Sequence, residues 1–142
     1  MATDPDATAV GLALLARAQR HLVAARAALD GTTQLPARRR TRAAAVFART
    51  ALEHVVDSAL VSRGHALTDA GMRVRLICLR TLVDQETGTI AEIAWAGLSQ
   101  GCHQHAYELS PTWAEVRHHV NLVDQIAHRT VTASTPTARP TR

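Results

Sequence analysis

Apolar residues recur at the helical period through most of this chain, and nowhere do they alternate with polar ones for the length of a strand. The apolar content is mostly Ala, Leu and Val with 3% aromatic, and Ala and Leu lead the helix-propensity ranking. The fold class this predicts is all-α. At 142 residues, 46% of them apolar, the chain has room for one domain with one core.

Glycine, proline and capping residues divide the periodic stretches into five expected helices. The first covers residues 8–30, with Gly31 placed to end it and Leu12, Leu15, Gln19, Leu22 and Leu29 near one stripe. The second covers residues 38–63, stopped by Gly64, with Leu52, Val56, Ala59 and Leu60 sharing a face. A short third helix over residues 72–84 is apolar almost all round, which predicts a central place in a bundle. Thr89-Ile90-Ala91-Glu92 and Thr112-Trp113-Ala114-Glu115 both have the form of a capping box. They predict starts for a fourth helix ending near residue 105 and a fifth ending near residue 128. In the fifth, His119 falls inside the apolar arc of Val116, Val120, Val123 and Ile126, and His118 outside it. Residues 1–7 and the basic tail 130–142, rich in Thr, Pro and Arg, are expected to be disordered, leaving 8–129 as the domain. Short connections favour antiparallel neighbours, so the expected architecture is an antiparallel bundle of four to five helices.

All 16 basic residues are arginines. Arginine-only usage fits a GC-rich genome, and it equally suits forked recognition of phosphate or carboxylate. Residues 37–80 carry nine positive and three negative charges, whereas residues 81–130 carry two positive and six negative. Such asymmetry suits an anionic partner on one face or self-association of opposite faces. Two cysteines, Cys78 and Cys102, are too few for a disulfide framework, and reduced thiols are expected. The N-terminus lacks the order of a signal peptide, and arginines interrupt the longest apolar helix. A cytoplasmic protein with no membrane segment is the expectation.

Chemistry concentrates in Gln100-Gly101-Cys102-His103-Gln104-His105-Ala106-Tyr107, at the expected end of the fourth helix. Gly97 and Gly101 share a face there, and a mid-helix glycine costs about 1 kcal/mol against alanine. Two at this spacing predict close approach of another helix, within the bundle or across a dimer. His105 falls on the buried side, where it could serve as a general acid/base, pack as a core histidine, or balance the helix dipole. His103 and His105 diverge by about 200° on a continuous helix, so no converging zinc set forms. No metal and no cofactor are expected.

The bundle together with this segment resembles the HEPN superfamily, whose hallmark is an arginine, four to six residues, then a histidine. Here the histidine is His105, and Gln100 stands where the arginine is expected. The resemblance implies a small helical-bundle homodimer that binds RNA or acts as a metal-independent endoribonuclease. It implies a toxin–antitoxin or stress-response setting, with a nucleotidyltransferase-type antitoxin as a partner. Gln100 departs from the pattern: losing a charge clamp on the phosphate lowers the rate on the order of a hundredfold or more. A degenerate RNase is therefore the form this resemblance takes.

Arg38, Arg39, Arg40 and Arg42 form the candidate RNA-binding run, although no aromatic residues interleave them, and a solvated helix entrance would look the same. Arg49 lies in the apolar arc of the second helix. There it would pair with an acid, point toward His105, or snorkel outward. Arg49 and His54 also have the hallmark spacing, but diverge by about 140° on one helix. Beside the RNA-binding reading stand a catalytically inactive helical interaction module using the Gly97/Gly101 face, and a metal-responsive regulator built on the histidines.

Overall fold

Asp4 and Pro5 start the first helix earlier than the apolar pattern alone indicates. The Asp4 carboxylate accepts the Asp6 N–H at 3.0 Å, and Pro5, with φ already helical, opens α1 (Pro5–Asp30). Gly31, at φ 73°, ends it in the left-handed conformation expected of it. The computed structural model describes residues 4–102 and 109–134. Beyond α1 it contains α2 (Ala37–Val61), α3 (Met72–Cys78), continued by a π-helical turn over Leu79–Val83, α4 (Gln85–Cys102) and α5 (Trp113–Ser134). The described residues are all-α, packed as a bundle.

Cross-helix contacts fix the directions. Ser58 near the end of α2 donates to the Gly11 carbonyl near the start of α1 at 2.7 Å, so the two run antiparallel. Arg49 meets Trp95 and Arg42 meets Cys102, so α2 and α4 are antiparallel. Arg129 reaches Glu86 while Gly97 meets His119, giving the same relation for α4 with α5; α5 therefore runs with α2 and against α1, to which the Arg26–Asp124 pair ties it. Helix α2 touches every other helix, and α3 with its π turn lies against α2 and α4.

Several expectations change in physical detail. The buried stripe of α1 is Gly11, Leu15, Ala18, Leu22, Ala25 and Ala28, while Leu12 is 56% exposed. Small residues win these positions because α2 presses its own Ala44, Ala48 and Ala51 into the interior; a Cβ on Gly11 would collide with Ser62 Oγ. Helix α3 is not central. Met72, Leu76 and Leu79 face the core, but Val74 and Ile77 of the same helix and Leu82 of the π turn are about half exposed. Its all-round apolar character is one buried face plus one open face. Thr89 does not cap α4: its hydroxyl donates to the Gln85 carbonyl inside the helix. The cap is Asp84, whose carboxylate accepts the Thr87 N–H at 2.8 Å as well as its hydroxyl. The box at Thr112 forms as expected, with Glu115 accepting the Thr112 N–H at 2.7 Å and Thr112 Oγ accepting the Glu115 N–H. Helix α5 continues to Ser134 with Thr130 buried, so its helix extends into the segment expected to be tail.

Candidate functional site: the arginine-rich end of α2 and its seam with α4

Helix α2 begins without a side-chain cap and without an acid in its first turn. Arg38, Arg39, Arg40 and Arg42 therefore sit at the positive end of a long helix dipole, where cations are unfavourable unless an anion answers them. Arg40 is partly used by the fold: its Nε donates to the Leu35 carbonyl at 3.0 Å, and its guanidinium lies against Gly31. Arg42 Nη2 donates to the Cys102 carbonyl at 3.4 Å, at the negative end of α4. Arg38 and Arg39 are exposed and make no ion pair among the described residues.

That contact brings the basic run beside the segment singled out in the sequence. Gln100 is exposed in the last turns of α4, and Gly101 lies one residue further. His103 and His105 lie outside the described residues. Gly97 faces α5: a Cβ there would collide with Nε2 and Cε1 of His119. The close approach read from the glycine is thus made by α5 of the same chain. Burial, reinforced by the neighbouring charge of His118, holds the pKa of His119 below its ordinary value, and its buried Nδ1 has no hydrogen-bond partner among the described residues.

Arg49 takes a course between those expected. Its guanidinium lies 4.4 Å from the ring centroid of Trp95 on α4, and no acid is within ion-pair distance among the described residues. Its Nε is buried without a hydrogen-bond partner there, as is Ser99 Oγ one turn along α4. The Arg49/His54 spacing is not a site, because His54 turns to α1 and stacks on His21 with centroids 5.5 Å apart. Burial first, then the charge of His21, lowers the His54 pKa, against the opposing pull of Asp57. The second tryptophan repeats the pattern of the first: Arg117 lies 4.9 Å over Trp113, whose indole donates to the Leu29 carbonyl at 2.9 Å.

Beyond Trp95 the seam widens into a cavity of about 440 Å³ between α3, the π turn and α4, lined by Arg73, Leu76, Ile77, Arg80, Glu92 and Trp95. Arg80 pairs with Glu92 at 3.3 Å. Gly88 lets the π turn lie close, since a Cβ there would meet the Arg80 backbone at 2.5 Å. Sequence reasoning missed Trp95, Arg73 and Arg80 as site residues. Only the recurrence of Arg38, Arg42 and Arg49 at steps of four and seven, one stripe of a helix, was available as a signal.

Among the described residues no group of three His, Cys, Asp or Glu is placed to hold a metal ion, and no helix is long and apolar enough to cross a membrane. No family model, curated protein or solved structure matches this chain.

Proposed function

We propose that this protein is an RNA-binding helical bundle of HEPN-like type, a degenerate rather than an active ribonuclease. The observation that carries the reading is the Arg42–Cys102 contact, which sets the uncapped, arginine-rich start of α2 against the end of α4 that leads into the His105 segment. Four arginines at a positive helix end raise the local potential at a stability cost, an arrangement that an RNA backbone would relieve. Gln100, exposed in the last turns of α4, stands where the resembled family carries its phosphate clamp, and a neutral amide supplies no charge there. A homodimer, and a nucleotidyltransferase-type antitoxin as partner, belong to the same proposal through the family resemblance.

The test is RNA binding as a function of salt. Affinity should fall steeply between 50 and 200 mM salt, by about 0.7 in log–log slope for each single-strand phosphate neutralised. Joint Arg38→Ala, Arg39→Ala and Arg42→Ala substitution should flatten that slope. Binding that is indifferent to salt and to these changes overturns the reading. Gln100→Arg is expected to yield cleavage that disappears on adding His105→Ala; an inert Gln100→Arg protein removes the nuclease ancestry while leaving RNA binding standing.

One observation favours the second reading, a helical interaction module. The Gly97 surface first considered for it is filled by His119, but α3 and its π turn present Val74, Ile77 and Leu82 to solvent. Loss of a self-association or partner contact in Ile77→Asp, with RNA binding absent in the parent protein, would support it.

A further inference from the structure

The basic run of α2 is not an isolated patch. On a helix advancing 100° per residue, Arg38, Arg42 and Arg49 fall within about 40° of one another, a single row along α2. That row faces α4: Arg42 meets the Cys102 carbonyl and Arg49 covers Trp95. On α4, Glu92, Trp95, Ser99 and Cys102 recur at three- and four-residue steps and so line the opposite side of the same seam. From Glu92 to Cys102 the seam is about 15 Å long at about 1.5 Å per residue. Its far end opens into the 440 Å³ cavity, where Arg73 and Arg80 continue the positive charge. That volume lies within the range of about 300–1,000 Å³ typical of small-ligand pockets. The stacking residue missing from the basic run in sequence is thus supplied across the seam by another helix. Acidic side chains are few: Glu92, engaged by Arg80, and Glu53, one turn beyond Arg49.

We infer that this seam is a track for single-stranded RNA, with phosphates on Arg38, Arg42 and Arg73 and one base held against Trp95 in the cavity. The inference rests on the RNA-binding reading and adds a path and a strand state to it. Alternating guanidinium and aromatic groups are the chemistry that holds unpaired nucleotides, because each base offers a face to stack and each phosphate a charge to pair. The track has room for about four nucleotides at a stacked rise of about 3.4 Å. A duplex keeps its bases inside the helix and cannot place one in the cavity. The buried Arg49 Nε and Ser99 Oγ, without partners among the described residues, lie along the same seam.

The experiment uses the full chain carrying Trp113→Phe, so that Trp95 is the one tryptophan left to report. It is titrated with a 12-nucleotide single-stranded RNA, with the same sequence as a duplex, and with a polyglutamate peptide. The single strand is expected to quench Trp95 emission and to bind more tightly than the duplex. Arg73→Ala, an exposed change remote from the start of α2, should weaken single-strand binding about fivefold and lower the salt slope by about one phosphate. Trp95→Leu should weaken it about tenfold or more, the size of one base–aromatic stack. RNA that binds without quenching Trp95 and without responding to Arg73→Ala overturns the track but leaves RNA binding at residues 38–42 intact. Equal affinity for duplex overturns the strand assignment. Quenching by polyglutamate and not by RNA reassigns the seam to an acidic protein partner. Absence of any RNA binding overturns both the track and the function it rests on.

Discussion

Replacing Gly97 by alanine separates two explanations for a glycine in the middle of α4. If the position were simply a weak spot, alanine would stabilise the helix by about 1 kcal/mol. The structure predicts the reverse. A Cβ at residue 97 would collide with His119 Nε2 and Cε1 and approach Cδ2 to 2.7 Å, whereas ordinary contact begins at 3.4 Å. All three struck atoms belong to the end of the His119 ring, so the methyl fits only if that half-buried ring leaves its place against α4. Overpacking of this kind costs about 1–3 kcal/mol, and against the helix gain the net expectation is a loss of about 1 kcal/mol. In a His119→Ala background the obstacle is gone, and Gly97→Ala should stabilise by about 1 kcal/mol, a coupling near 2 kcal/mol between the two positions. Urea unfolding followed by circular dichroism at 222 nm measures all four members of the cycle. Because His119 belongs to the same chain, the loss should not depend on protein concentration. A stabilising Gly97→Ala in the parent, or a loss that vanishes on dilution, would refute the intramolecular contact and restore this glycine to a dimer interface.

Two further outcomes follow from buried polar groups. Arg75 and Asp57 pair at 2.9 Å with side chains only 12% and 11% exposed, so Asp57→Ala should destabilise by about 3 kcal/mol, while the double change Asp57→Leu with Arg75→Met should recover most of it; a single-mutant loss below about 1 kcal/mol would mean that water reaches the pair. His54 and His119 both have pKa values lowered by burial, so the unfolded chain binds protons that the folded chain refuses. Their contribution is complete above the unfolded histidine pKa of about 6.5 and is lost as pH falls through the lower folded values. Urea midpoints should therefore drop between pH 7 and pH 5, and His54→Gln should make that drop shallower; a parallel drop in the variant would assign it to other groups.

Local chemistry was enough to write much of the fold from the sequence. Gly31 ends α1 because only a residue without Cβ enters the left-handed region freely, and Thr112 with Glu115 begins α5 because the two satisfy each other's backbone donors. Both effects act within four residues and need no partner. The α4 start was misread for the same reason. Thr89-x-x-Glu92 and Asp84-x-x-Thr87 both have the composition of a cap, and the Asp84 cap is the one formed where α4 begins, directly after the π turn. Whether the apolar face of α3 is central or half open also lay beyond periodicity, because hydrophobicity states what can be buried and not what covers it.

For the candidate site the division is sharper. The row of arginines on α2 and the neutral Gln100 were legible, since they depend on spacing along one helix and on residue identity. The Arg73/Arg80 cavity was not, because it needs α3 and its π turn to lie against α4, and neither were Trp95 under Arg49 and Cys102 beside Arg42, each of which joins residues dozens of positions apart. The antiparallel packing of α2 on α4 decided them. It turned a basic run without aromatics into a charged seam with an aromatic in it, while the packing of α5 on α4 closed the Gly97 face with a histidine. Sequence alone determined which helices form and which side chains they carry; the tertiary structure decided which of those side chains meet, because pairing between helices is set by burial across the whole bundle rather than by any one segment.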